Sequence, residues 1–171
     1  MAGRLAWFNE LPVDAAEREL RACNAAPRFA REVAAARPYP DEAALADAAQ
    51  RVSAGLDWAE VGEALAAHPR IGERAAGDSA EAAASRREQA PLGAATDELR
   101  AELAAGNRAY EERFGHVFLI RAAGRTPPEL VAELRRRLGQ DPAAERAEVT
   151  RQLAEISRLR VQRLVAPESA R

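Results

Sequence analysis

The stretch Thr126 to Leu164, TPPELVAELRRRLGQDPAAERAEVTRQLAEISRLRVQRL, decides the fold class. Thr126-Pro127-Pro128-Glu129 combines a capping box with proline at the first helical position, so a helix starts there. Leu130, Val131, Leu134 and Leu138 then recur at the three- and four-residue intervals of one helix face. Gly139 ends that helix. Another begins near Pro142 and runs to about Leu164, with Val149, Leu153, Ile156 and Leu164 as its apolar stripe. The period is helical throughout, and nothing alternates as a half-buried strand would.

Toward the N-terminus the same grammar repeats. A helical pattern from Asp14 carries Leu20 and Cys23. The next carries Phe29 and Val33 and stops at Arg37-Pro38-Tyr39-Pro40, where two prolines enforce an extended bend. Asp41 caps a helix with Leu45, Ala48, Ala49 and Val52 on its apolar side, and Gly55 ends it. Asp57 caps the following one, whose stripe is Trp58, Val61 and Leu65 and which ends at His68-Pro69. Residues 73–79 form a charged, glycine-containing loop. A helix resumes near Ala80 and is broken at Pro91-Leu92-Gly93. The long helix after it places Leu99, Leu103, Tyr110 and Phe114 on one side and closes at Gly115. Val117-Phe118-Leu119-Ile120 is too short for a helix and reads as a buried extended segment. The expectation is an all-α fold: a compact single-domain bundle of roughly seven or eight helices over residues 1–171, with one short extended core segment.

Composition agrees and excludes much chemistry. At 171 residues the chain is long enough for one real core. Only 5% of it is aromatic, and much of the apolar content is alanine, which argues against a sheet protein. A net charge of −2 gives no electrostatic reason to bind nucleic acid or an acidic membrane. The arginines alternate with Asp and Glu at helical spacing, as on a solvated face. There is no lysine, which removes Schiff-base catalysis, lysine-anchored pyridoxal phosphate and the phosphate-loop lysine. Cys23 is the only cysteine, and His68 and His116 are the only histidines. Internal disulfides, cysteine-rich zinc sites and three-histidine metal sites are therefore out of reach. No GxGxxG fingerprint occurs, so the dinucleotide-binding signature is missing too. MAGRLAWFNELP has no apolar run long enough for a signal peptide, and no stretch is long enough to span a bilayer. The cytoplasm is the expected location. Glu168-Ser169-Ala170-Arg171 does not form a peroxisomal signal.

Four places break the apolar pattern. Arg160 falls in the middle of the last stripe, four residues after Ile156. A guanidinium keeps its charge and needs an anionic partner when buried, either a structural ion pair or the carboxylate of a small substrate; snorkelling at the stripe's edge is the other structural option. His68 continues the Trp58–Leu65 stripe and is fixed by Pro69. It is either a satisfied core histidine or an acid–base group. Ser85, Glu88 and Gln89 lie at i, i+3 and i+4 on one helix face, as an exposed surface or as a polar cluster. The extended Val117–Ile120 segment must pair its backbone with side chains and water, or with a ligand. His116 reads as a helix-end residue and Cys23 as a small buried hydrophobe.

In their order and spacing these pieces resemble one family. They are His68-Pro69-Arg70-Ile71-Gly72, then Ser85, Glu88 and Gln89, then Asn107, Tyr110, Arg113-Phe114-Gly115, Phe118 and Ile120, then Gly124-Arg125, and finally Ile156 with Leu159-Arg160; Phe8-Asn9 also fits. The family is the 2-oxo-4-hydroxy-4-carboxy-5-ureidoimidazoline (OHCU) decarboxylases of purine degradation. The resemblance implies an all-α homodimer that decarboxylates this small substrate to (S)-allantoin without a cofactor. It implies His68 and Glu88 as catalytic residues. Ser85, Gln89 and Arg160 match substrate-binding positions, and Pro69 with Phe118, Leu119, Ile120, Arg121 and Ala122 matches the segments lining the pocket. His116 stands where the family often has an aromatic or apolar residue, and Arg121-Ala122 where some relatives carry Cys-Ala. Two other readings stay open from sequence. One is the same fold acting on a related ureido or carboxy-imidazoline compound, and the other is a helical interaction module with no activity.

Overall fold

The computed structural model describes residues 3–73 and 76–167. Residues 74 and 75 of the expected charged loop, and Glu168–Arg171, lie outside the described residues. Regular structure among the described residues is all helical: α1 Arg4–Glu10, α2 Val13–Arg21, α3 Pro27–Ala35, α4 Glu42–Ala54, α5 Trp58–Leu65, α6 Ala80–Glu88, α7 Asp97–Phe114, α8 Pro127–Leu138 and α9 Pro142–Val165, with a 3-10 turn at Ala90–Ala94. The chain packs as two compact units, one of residues 1–64 with 153–171 and one of residues 65–152.

The first unit buries Phe8, Leu20, Phe29, Val33, Leu45 and Val61. Its polar ends are closed by side chains. Arg37 donates from Nη1 to the carbonyls of Phe8 (2.8 Å) and Leu11 (2.7 Å) at the C-terminal end of α1. The Asn9 amide pairs with both the N–H and the carbonyl of Tyr39, each at 2.9 Å. Asp41 caps α4 by accepting from Ala44 N–H at 2.7 Å. Asp57 and Glu60 bond reciprocally to each other's backbone N–H at 2.9 and 2.8 Å, a capping box at the start of α5.

The second unit holds α6, α7, α8 and the first turns of α9. Its core gathers Leu103, Tyr110, Phe118, Ile120, Leu130 and Leu134. The Thr126–Glu129 capping box forms in both directions, and Gly115 closes α7 at φ 78°, its N–H bonded to Glu111 O at 2.8 Å. Residues 117–122 carry no helix and are buried at Phe118, Leu119, Ile120 and Ala122.

Three details differ from the sequence expectation. The segment before Leu11 forms the short α1, seven residues with no side-chain cap at Gly3 and so little periodic signal to read. The helix expected to reach His68-Pro69 stops at Leu65. On α9, Arg160 is 3% exposed as the stripe requires, but the last turn buries Val161 and Val165, with Leu164 only half-buried. A helical wheel describes an isolated helix, whereas the covered side depends on what packs there, and Arg4 of α1 reaches the Leu164 carbonyl at 3.4 Å.

Candidate active site

The site is built on the turn that follows α5. Pro69 denies its predecessor a helical backbone, so the chain leaves the helix with His68 N–H bonded to Leu65 O at 3.0 Å. Gly72 then reverses direction at φ 90°, a conformation open to glycine at little cost. Side chains from two other helices fix this turn. The Gly72 N–H donates to Gln89 Oε1 at 2.9 Å, and Asn107 Nδ2 donates to Ile71 O at 2.8 Å. The Arg70 guanidinium forks onto the Glu111 carboxylate at 2.6 and 3.1 Å.

Opposite the turn stands α6. Ser79 caps it by accepting from Ala82 N–H at 3.1 Å. The helix presents Glu81, Ser85 and Glu88 along one face, because steps of four and three residues stack on a helix. Ser85 is buried, as is Glu88. Between turn and helix lies a hollow of about 280 Å³ that His68, Pro69, Ser79, Glu81 and Ser85 line.

The extended segment lies in the core of the same unit, and protein side chains satisfy part of its backbone. Arg137 donates from Nη1 to Leu119 O at 2.7 Å. Gln152 Oε1 accepts from Arg121 N–H at 2.9 Å, and Arg125 Nε donates to Arg121 O at 3.1 Å. Behind it sits an ionic network with no solvent exposure: Arg137 Nε bonds Glu145 Oε1 at 2.9 Å, and the Tyr110 hydroxyl donates to the same oxygen. Burial, and then the adjacent Glu145 carboxylate, push the Tyr110 phenol well above its usual pKa.

Not every expected residue meets at the hollow. His68, Pro69 and Ser85 do. Glu88 is buried one helical turn beyond Ser85, past the residues that line it. Gln89, expected to hold substrate, spends its amide oxygen on the Gly72 N–H. Phe118 to Ala122 belong to the core of the second unit, and Arg160 lies on the part of α9 that belongs to the first. His116 packs edge-on against the Tyr110 ring, with centroids 5.4 Å apart. Among the described residues no group of three or more His, Cys, Asp or Glu is placed to hold a metal ion.

Sequence reading gave Asn107 and Glu111 no role beyond the family motif and passed over Glu81, Arg137, Glu145 and Gln152. A signal for two of them was there. Glu81 precedes Ser85 by one helical turn, and Arg137 follows Leu134 by three residues on the apolar side of α8, the same kind of break that marked Arg160.

A helical scaffold lines one small hollow with an imidazole, a hydroxyl and a carboxylate, groups of the kind that move protons on a small molecule. The chain belongs to the OHCU decarboxylase family, whose pattern matches residues 9–162 and so runs across both units. These proteins are carboxy-lyases. Among similar proteins is the uric acid degradation bifunctional protein TTL of Arabidopsis thaliana, 26% identical over 163 residues that make up 93% of this chain. The chain spans 50% of that relative's length. A solved OHCU decarboxylase, crystallised in the presence of (S)-allantoin, superposes with a TM-score of 0.75 at 26% identity, over 87% of this chain and 98% of its own. A solved (S)-allantoin synthase shares the fold, with a TM-score of 0.68 at 17% identity, over 94% of this chain and 54% of its own.

Proposed function

We propose that the chain decarboxylates 2-oxo-4-hydroxy-4-carboxy-5-ureidoimidazoline to (S)-allantoin, in the degradation of urate, without a cofactor. The observation that carries this reading is the hollow in which His68, Pro69 and Ser85 meet, inside a chain that matches the OHCU decarboxylase pattern almost end to end.

In this reaction the bond to the carboxylate carbon breaks and carbon dioxide leaves. The electron pair stays on the ring carbon, where the conjugated imidazolinone spreads it, and one proton then closes the C–H bond. The chain has no lysine to form an iminium, so the substrate's own ring is the electron sink. The work left to the protein is to orient the substrate, stabilise developing charge and direct one proton to one face. His68 and Glu88 are assigned to that proton and to the reacting hydroxyl and carboxylate. Ser85 and Gln89 are assigned to the ring's orientation, and Arg160 with the Phe118–Ala122 backbone to the carbonyl and ureido edges. The whole of residues 1–171 is taken as one working domain. We propose that it acts as a homodimer in the cytoplasm, as the family resemblance implies. Among the described residues no helix is long and apolar enough to cross a membrane.

The test is kinetic and optical. Substrate is generated from urate in situ, and circular dichroism follows the appearance of enantiopure allantoin. The wild-type protein should produce it faster than the spontaneous racemic background. His68→Asn should lower kcat roughly 10²- to 10⁴-fold, the usual worth of a positioned acid–base group. A His68→Asn rate equal to wild type would remove the imidazole from the mechanism.

A further inference from the structure

The motif Asn107, Tyr110 and Glu111 is part of the family resemblance, yet none of the three has a role in the chemistry above. They sit at i, i+3 and i+4 of α7, so their side chains leave the helix on one face. From there they reach both the turn that carries His68 and, through intermediaries, the Phe118–Ala122 segment. Asn107 Nδ2 holds the Ile71 carbonyl at 2.8 Å, and Glu111 holds the Arg70 guanidinium with two bonds. Those two contacts end on the turn that carries His68. Tyr110 reaches the Phe118–Ala122 segment through two intermediaries: its hydroxyl bonds Glu145, Glu145 bonds Arg137, and Arg137 bonds the Leu119 carbonyl at 2.7 Å. The Arg137 guanidinium also lies over the Phe118 ring, 4.6 Å from its centroid.

We propose that Asn107, Tyr110 and Glu111 of α7 are positioning residues that hold the His68 turn and the Phe118–Ala122 segment in fixed register with each other. The inference rests on the decarboxylase reading. Two features distinguish such a device from ordinary packing. First, Tyr110, Arg137 and Glu145 have no solvent exposure. Apolar side chains would fill that space without the desolvation penalty of an ion pair, so stability alone does not call for the charges. Second, the contacts end on particular polar atoms of the two segments, the Ile71 and Leu119 carbonyls and the Arg70 guanidinium, and directional bonds to those atoms set position in a way that apolar contacts do not. Catalytic groups work only when held within about 0.5 Å of productive geometry, which packing of a proline turn and a helix-free segment does not secure by itself.

The two arms of the device predict different kinetic defects. Glu111→Gln loosens the turn that carries the acid–base group, so kcat should fall about ten-fold or more with KM unchanged. Tyr110→Phe removes only the hydroxyl that anchors Glu145. It loosens the binding segment and should raise KM by a similar factor. A role in stability alone would instead lower the melting temperature and the active fraction and leave KM untouched in both. The assay is therefore run on full-length protein at a temperature where circular dichroism shows each variant folded. The Arg70–Glu111 pair is partly exposed, 47% and 26%, so Glu111→Gln contributes little to folding and remains testable if Tyr110→Phe does not fold. Wild-type kcat and KM in folded Glu111→Gln would overturn the inference while active wild-type protein upholds the decarboxylase reading. An inactive wild-type protein would overturn that reading and this inference together.

Discussion

At the scale of single residues, Arg160 carries the largest consequence. It is 3% exposed on α9, and a guanidinium cannot shed its charge to relieve burial. A substrate clamp and a structural ion pair part company on substitution. As a clamp, Arg160→Ala loses a charge-assisted hydrogen bond worth about 1.5–3 kcal/mol, so KM should rise roughly ten- to a hundred-fold. As an internal ion pair, the same change would cost about 3–5 kcal/mol of stability and leave KM alone. Steady-state kinetics beside a denaturant melt read both quantities. Glu60 offers a second test, in pH. The Arg28 guanidinium at 2.7 Å, and then the Asp57 backbone N–H, hold its carboxyl at about 2, below its ordinary 4.5. A folded-state value below the unfolded one contributes stability above pH 4.5 and loses it as pH falls toward 2. Glu60→Gln should therefore melt below wild type at neutral pH, and the gap should close on acidification through that window. A gap independent of pH would show that the pair does not couple to folding.

At the scale of elements, helices were legible wherever a cap and a stripe coincided. Thr126-Pro127-Pro128-Glu129 announced α8, and Asp41 announced α4, because capping chemistry acts between residues close in sequence. The polar residues were legible only in part, for a related reason. His68 and Arg160 stood out as polar groups on apolar stripes, whereas Gln152 and Asn107 are ordinary helix residues until the fold brings the Arg121 N–H and the Ile71 carbonyl to them. Partners separated by 31 and 36 positions leave no local pattern to read. The same holds for Gly106, which sequence left unexplained. A Cβ there would stand 2.5 Å from Leu134 Cδ2 and 3.1 Å from its Cγ, so glycine is what allows α7 to approach α8 this closely. Gly106→Ala gains about 1 kcal/mol of helix propensity but forces Leu134, itself 1% exposed, to move in a filled core at about 1–3 kcal/mol. The net expectation is a loss of stability, relieved by the double change Gly106→Ala with Leu134→Ala in a double-mutant cycle. If Gly106→Ala alone raised the denaturation midpoint, the close approach would not be a constraint.

At the scale of the whole molecule, one compositional fact shapes the chemistry everywhere: the 25 basic residues are all arginine. Arginine suits the tasks seen in the second unit, because its planar fork pairs with carboxylates and carbonyls at once, as Arg137 does with Glu145 and Leu119. It is also useless as an amine nucleophile, so the proposed mechanism relies on proton placement and on the substrate's own ring. The two halves of that statement can be separated by selective modification. An amine-directed acylating reagent finds no lysine side chain in the chain and should leave decarboxylation at its untreated rate. An arginine-directed dicarbonyl should abolish it, more slowly when a substrate-like carboxylate occupies the site. Loss of activity on amine acylation, or trapping of substrate on the protein by borohydride, would mean that a covalent iminium route operates, and the acid–base mechanism built on His68 would have to be abandoned.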